Sequence, residues 1–137
     1  MSERRLQGRV LGFDFGRKRI GVAVGETVTG SARPLAILPA RQGAPDWARV
    51  TELLEQWRPV ALVVGLPVHL DGKEHELTRA ARRFGNRLHG RYHLPVFFQD
   101  ERLTSDEARR TRGEGPIDDL AACLILQDWL ASADPTP

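Results

Sequence analysis

Two short stretches near the start of the chain alternate large apolar residues with small or polar ones: Val10-Leu11-Gly12-Phe13-Asp14-Phe15 and Ile20-Gly21-Val22-Ala23-Val24-Gly25. A period of two marks strands with one face covered, and the short basic turn between them predicts a hairpin. A third strand is expected at Leu35-Ala36-Ile37-Leu38, bracketed by Pro34 and Pro39, with the Thr27-to-Ser31 segment supplying the turn before it. From Asp46 to Trp57 the apolar positions Trp47, Val50, Leu53, Leu54 and Trp57 recur at helical spacing, with Pro45 near the start and Pro59 past the end. Val60-Ala61-Leu62-Val63-Val64 is apolar at every position, as befits a central parallel strand covered on both faces.

A second helix is expected from Glu74 to Leu88, with Leu77, Ala80, Ala81, Phe84 and Leu88 inward and Arg79, Arg82, Arg83 and Arg87 mostly outward. Pro95-Val96-Phe97-Phe98-Gln99 reads as a fifth strand that delivers Asp100 and Glu101 to the C-terminal edge of the sheet. Thr104-Ser105-Asp106-Glu107 has capping-box spacing, which predicts a short helix from Thr104 to about Arg112, broken by Gly113-Glu114-Gly115-Pro116. A last helix should run from about Ile117 to Ala131, with Leu120, Ala121, Leu124, Ile125 and Leu126 as its core face. Three hairpin strands followed by alternating helices and strands make an α/β domain with a mixed sheet.

The length of 137 residues suits one domain and is short for two. The whole chain, 1–137, is therefore read as a single domain, with about 1–8 and 132–137 as tails. A hydrophobic fraction of 41% and a charged fraction of 28% exclude general disorder, and no apolar stretch approaches the ~18 residues of a membrane span. The opening residues Met1 to Arg9 lack the apolar core of a secretory signal, and the single Cys123 cannot form an internal disulfide. A reducing cytoplasm, with no membrane partner, is the expected setting.

A net charge of +2 excludes a uniformly basic coat, so affinity for polyanions has to come from clustering. Residues 79 to 112 carry nine Arg against four acids, and all basic residues but Lys18 and Lys73 are Arg. Arginine suits bidentate phosphate contacts, although a GC-rich genome produces the same bias.

Asp14 is the most informative residue. It sits in a strand whose flanking Phe13 and Phe15 face the other way, and it shares its own face with Val10, Gly12 and Gly16. A turn-forming Asp, or one paired with Arg17 or Arg19, would account for it alone. Glu101, however, also follows a core strand that should lie near the first. Ligands of open α/β sheets gather at the carboxyl ends of strands, so the two acids should approach each other there. Carboxylates repel unless a cation sits between them, and oxygen donors without Cys or His select Mg²⁺ or Mn²⁺. Asp118 and Asp119 offer a third acid, though either would also serve as a first-turn carboxylate that favours the helix dipole. His89 and His93 lack a third soft ligand for zinc, Cys123 stands among core residues, and Trp47, Trp57 and Trp129 fit packed helix faces.

Four blocks, Gly12-Phe13-Asp14-Phe15-Gly16-Arg17-Lys18-Arg19-Ile20-Gly21-Val22-Ala23-Val24, Val64-Gly65-Leu66-Pro67, Asp100-Glu101-Arg102-Leu103-Thr104-Ser105 and Ala121-Ala122-Cys123-Leu124-Ile125-Leu126-Gln127, together resemble the YqgF (RuvX) family of RNase H-like nucleases. Members of that family are described as Holliday junction resolvases and as nucleases that process the 5′ end of pre-16S ribosomal RNA. The resemblance spans nearly the whole chain. It implies an RNase H-like fold with a mixed five-stranded sheet, a three-stranded antiparallel part plus two parallel strands, and three catalytic, metal-binding acids that map onto Asp14, Glu101 and Asp118. Asp118 rather than Asp119 occupies the family's acidic position before the Ala-Ala pair. One departure is the segment between Thr104 and Asp118, which is shorter than is usual and carries Glu114-Gly115-Pro116 where lysines often precede the final Asp.

The implied activity is phosphodiester hydrolysis with two divalent ions, Mg²⁺ or Mn²⁺, in pre-16S rRNA processing, in cleavage of branched DNA, or in both. Such chemistry places the ions ~3.5 to 4 Å apart across a bridging carboxylate, and Asp14 is the candidate bridge. Arg17, Lys18 and Arg19 in the adjacent turn, Arg102 beside Glu101, and Lys73 in the loop after Gly65-Leu66-Pro67 are the candidate substrate contacts. Backbone-directed cations carry no base code, so RNA, single-stranded DNA and a four-way junction all stay open as partners, as do monomer and homodimer. Two rival readings are a nucleic-acid-binding or ribosome-associated factor that does not cut, and an actin-like phosphotransferase, which needs two domains to clamp its nucleotide.

Overall fold

The computed structural model describes residues 7–68, 75–102 and 119–131. Six strands and three helices lie in these stretches: β1 (Arg9–Asp14), β2 (Arg19–Glu26), β3 (Ser31–Arg41), β4 (Ala44–Pro45), α1 (Trp47–Trp57), β5 (Ala61–Val68), α2 (Glu76–Tyr92), β6 (Val96–Arg102) and α3 (Asp119–Leu130). The sheet order is β4-β3-β2-β1-β5-β6. β1, β2 and β3 are antiparallel neighbours, while β5 joins β1 and β6 joins β5 in parallel. The mixed five-stranded α/β sheet expected from the sequence is therefore present, with a two-residue ribbon added at one edge.

That ribbon is the main surprise at the β3 edge. Gln42 and Gly43 have φ of 53° and 84°, and positive φ at both central residues is what a two-residue hairpin requires of its turn. Pro34 and Pro39, expected to bracket a four-residue strand, lie inside an eleven-residue one. A proline lacks the N–H that a central ladder needs, but β3 has a partner on only one side for most of its length, and Pro34 falls beside the register shift at Val22/Ala23. The strand thus absorbs both rings.

Alternation assigns the two faces. Leu11, Phe13, Ile20, Val22, Leu62 and Val64 point to one side, where Val50 and Leu54 of α1 and Ala81, Phe84 and Leu88 of α2 complete a core. Val10, Ala23, Ala61, Val63 and Phe97 point to the other, where α3 brings Ala122, Cys123, Ile125, Leu126 and Trp129. A continuous apolar run such as Ala61 to Val64 follows directly, because both faces of β5 are covered.

α1 opens on Asp46, whose side chain accepts from the Ala48 N–H at 3.1 Å, and closes on Arg58 in the left-handed region before Pro59. α2 runs four residues further than the apolar spacing predicts, to Tyr92, and ends on His93 in the left-handed region, whose N–H reaches the His89 carbonyl at 2.9 Å. The two histidines are thereby spent on a helix end: the His89 ring also bonds the Leu94 carbonyl at 2.9 Å. α3 differs from expectation in its inward face. Leu120 and Leu124 are 57% and 53% exposed, and Ala122 and Trp129 take their place against the sheet. The helix contacts β1, β5 and β2 at their glycines, and the stripe through Ala122, Ile125, Leu126 and Trp129 is the one that faces them. The helix predicted at Thr104 to Arg112 lies outside the described residues.

Trp47 stacks on Phe84 at 6.0 Å and Trp129 meets Phe97 at 5.1 Å, so both pack as the helix spacing predicts. Trp57 carries the guanidinium groups of Arg9 and Arg33 at 5.5 and 5.2 Å from its ring. No helix among the described residues is long and apolar enough to cross a membrane.

Candidate functional site at the carboxyl edge of the sheet

Register places the acids. Phe13, Val64 and Phe98 form one row across β1, β5 and β6, and Asp14 lies one residue beyond that row while Glu101 lies three beyond it. Both offsets are odd, so both side chains project to the face opposite Phe13, the face that α3 covers. The strand carrying Glu101 is not the neighbour of β1: β5 stands between them, with Pro67 in register with Glu101. Two strand spacings of ~4.8 Å and two residues at ~3.3 Å set the Cα atoms ~10 Å apart across the sheet and ~7 Å along it. The longer Glu side chain sits on the more distant strand, which shortens the gap.

Glycines leave room over this face. A Cβ on Gly12 would overlap the Leu126 side chain, and one on Gly65 would overlap Ile125. Both overlaps show that these glycines serve close approach of α3. Because Leu130 lies over Gly25, which pairs with Val10, while Ile125 lies over Gly65, α3 runs antiparallel to β1 and starts at the edge where Asp14 ends its strand. Asp119 is the first residue of α3, and the N-terminal end of its dipole lies at this edge. Asp118, Lys73 and the side chain of Arg102 lie outside the described residues.

Asp14 and Glu101 are half-buried, and Oε2 of Glu101 is shielded from solvent. A buried carboxylate oxygen in a face that also holds a second carboxylate calls for positive charge nearby. The two side chains offer only hard oxygen donors, so the residues fit Mg²⁺ or Mn²⁺ better than a thiophilic ion. Among the described residues no three His, Cys, Asp or Glu side chains form a group that could hold a metal by themselves. Cys123 is buried in the core, as expected.

The turn after Asp14 is clamped from the side. Gly43 N–H bonds the Arg17 carbonyl and Ala40 N–H bonds the Lys18 carbonyl, both at 2.8 Å. The β3–β4 hairpin thus fixes the segment that follows the first acid. A Cβ on Gly43 would come within 2.9 Å of the Phe15 ring, so the hairpin also needs glycine for close approach.

Of the three cations in that turn, Arg19 precedes Gly21 by two residues and Gly21 pairs with Asp14, so Arg19 shares the carboxylate face and is exposed. Lys18 is exposed as well. Arg17 reaches across the edge to the other face, where its guanidinium lies 3.6 Å from Glu76 at the start of α2. Glu76 also holds Arg79 at 3.5 Å and Arg83 at 3.4 Å. The hydrogen bond from Arg83 draws the Glu76 carboxyl below the usual carboxylate range; desolvation opposes it, and the charges of Arg83, Arg79 and Arg17 add to it.

Two further site residues carry no motif. Gln99 precedes Glu101 by two in β6, is half-buried and pairs with Gly65, so its amide shares the face of both acids. Its parity with Glu101 was the available signal. Thr78, fully buried, donates its hydroxyl to the Pro67 carbonyl and accepts from the His75 N–H at 3.3 Å. It ties the first turn of α2 to the end of β5. Nothing local in the sequence announces that bond.

The chain is similar to known proteins over most of its length. The family model described as RuvX, Holliday junction resolvase, matches residues 8–132. A protein of Hydrogenovibrio crunogenus is 52% identical over 127 residues, covering 91% of this chain and 95% of its own length. One of Azotobacter vinelandii is 51% identical over 131 residues, covering 89% and 92%. Both are named as proposed pre-16S rRNA nucleases. Among solved structures, RuvC of Thermus thermophilus matches with a TM-score of 0.53 at 18% identity over 88% of this chain and 92% of RuvC. T. thermophilus RuvC in complex with a Holliday junction substrate matches with a TM-score of 0.53 at 22% identity, over 90% and 93%. At these identities the likeness speaks for the fold, which is RuvC-like and of the RNase H type expected from the sequence.

Proposed function

The chain belongs to the RuvX Holliday junction resolvase family, and we propose that it is a metal-dependent endonuclease that hydrolyses nucleic-acid phosphodiesters at the carboxyl edge of its sheet. The observation that carries this reading is the projection of Asp14 and Glu101 to one face at that edge, beside the start of α3. Its relatives' names and their close identity over nearly full length favour a nuclease, with pre-16S rRNA as the first substrate to test and branched DNA as the second.

In this reading Asp14, Glu101 and Asp118 would hold the divalent ions, with Asp14 as the ligand common to both. When bound, two divalent ions supply an activated water and neutralise charge on the leaving oxygen. The chain's own part is positional. β1 and β6 hold the two acids at fixed register, the β3–β4 hairpin holds the turn after Asp14, and the bond from Thr78 to Pro67 holds the end of β5 between them. Arg19 on the same face, with Lys18, Arg102 and Lys73, would hold substrate phosphates.

The test is incubation of wild type and Asp14→Asn with end-labelled pre-16S-like structured RNA, single-stranded DNA and a four-way junction, each with Mg²⁺, Mn²⁺ or EDTA. Metal-dependent cutting that the variant loses supports the reading and names the substrate. Binding without cutting under every condition would replace it with a non-catalytic nucleic-acid-binding factor.

A further inference from the structure

Along α2, Arg79, Arg83, Arg87 and Arg91 follow one another at intervals of four, and all four are exposed. Residues four apart on a helix are neighbours, so these side chains form one continuous row on the outer surface. Three successive like-charged pairs oppose helix formation, and α2 contains a single acid, Glu76. That acid sits at the end nearest the sheet's carboxyl edge and is shared among Arg79, Arg83 and Arg17. Three guanidinium groups on one carboxylate leave the group strongly positive. Further along, Arg87 and Arg91 form no ion pair among the described residues, and the Arg91 guanidinium lies over the ring of Trp47 in α1 at 4.1 Å.

The row has a direction. α2 follows β5, so its first turn, fastened to Pro67 by Thr78, stands at the edge where Asp14 and Glu101 project. Arg17 follows Asp14 in sequence by three residues and reaches over that edge to Glu76. From Arg79 to Arg91 the row covers ~18 Å, long enough to follow several successive phosphates of one strand.

We infer that the arginine row of α2, entered through the Arg17–Glu76 cluster, is a phosphate track that binds the strand flanking the scissile site on the sheet face opposite the carboxylates. The inference rests on the nuclease reading for its direction and not for its chemistry. Guanidinium groups recognise the phosphodiester backbone and leave the bases unread, so the track takes RNA or DNA alike and sets affinity and register. Glu76 keeps Arg17, Arg79 and Arg83 together in the absence of substrate, and phosphate would take over the same donors.

Binding measured in EDTA separates this inference from the nuclease reading, since no cleavage is needed. A labelled single strand covering the cleavage site alone is compared with one extended by a flank, as RNA and as DNA, by fluorescence anisotropy across a salt series. For Arg83→Gln/Arg87→Gln the extended strand should bind more weakly, and the slope of log K against log salt should fall by ~0.7 for each phosphate no longer neutralised. The short strand should lose less affinity than the extended one. Arg33→Gln/Arg58→Gln removes the same charge from exposed positions away from the Arg17–Glu76 cluster and should leave the slope as it was. An unchanged slope in the α2 variant on both polymers, or an equal fall in the control, would overturn the track. Arg87→Gln alone removes an exposed cation that forms no ion pair among the described residues, and reads the same slope should the double variant fold poorly.

Discussion

The Thr78 hydroxyl donates to the Pro67 carbonyl, and this buried bond joins the first turn of α2 to the residue of β5 that lies in register with Glu101. The two residues are eleven apart in sequence and belong to different elements. Their bond couples the rigid arginine-bearing helix on one face to the acidic edge on the other.

Replacing Thr78 by Val keeps its shape and leaves the Pro67 carbonyl buried without this donor, which should cost ~1–3 kcal/mol of stability. Thr78→Ser retains the hydroxyl and should recover most of that loss. Urea unfolding of the two variants reads the difference. Equal midpoints for Val and Ser would mean that the hydroxyl is not the anchor.

Asp14→Asn preserves size and removes one charge from the carboxylate face. The fold should stay intact, while cleavage should fall by more than the ~100-fold that loss of an outer-shell group costs a metal site. Single-turnover cleavage alongside thermal unfolding checks both halves. Full activity with an intact fold would remove Asp14 from the chemistry.

Gly12→Ala brings a Cβ into the branch point of Leu126, whereas Gly65→Ala meets chiefly the terminal methyl of Ile125, which can rotate away. The first should be the more destabilising, by the ~1–3 kcal/mol typical of an overfilled core, and the second should cost less. Chemical denaturation orders them. The reverse order would mean that α3 rests on the sheet differently.

The Glu76 carboxyl should titrate below its ordinary value of 4.5, held down first by the Arg83 hydrogen bond and then by the Arg83, Arg79 and Arg17 charges. A depressed folded-state value means that the contribution to stability is present above the unfolded value and disappears as pH falls through the folded one. An NMR titration of the Glu76 side chain measures it directly. Arg83→Gln should move the midpoint back up, and a midpoint that stays put would assign the shift elsewhere.

How far the sequence reaches is clearest at Asp14 and Glu101. Alternation about Phe13 and Phe15 gives Asp14 its strand and its face, because side-chain direction along a strand depends only on parity; the apolar run ending at Gln99 puts Glu101 just past its strand, whereas β6 runs on through it to Arg102. Alternation is silent on which strands are neighbours, and β5 stands between the two that carry the acids. Helix spacing predicts α1 to within a residue at its start, while in α3 the same apolar abundance allows several faces. That abundance favours Leu120 and Leu124, and packing against the sheet buries Ala122 and Trp129 instead.

By itself, then, the sequence determined the α/β class, the strands and helices with strong periodicity, and two acids at the carboxyl ends of core strands. These follow from local sterics and from which residues avoid water. Only the tertiary structure decided the strand order, the face α3 presents, the clamp of the β3–β4 hairpin on the turn after Asp14, and the gathering of Arg17, Arg79 and Arg83 on Glu76. Each of these joins residues remote along the chain, and their meeting is set by how whole elements pack rather than by any pattern within one of them.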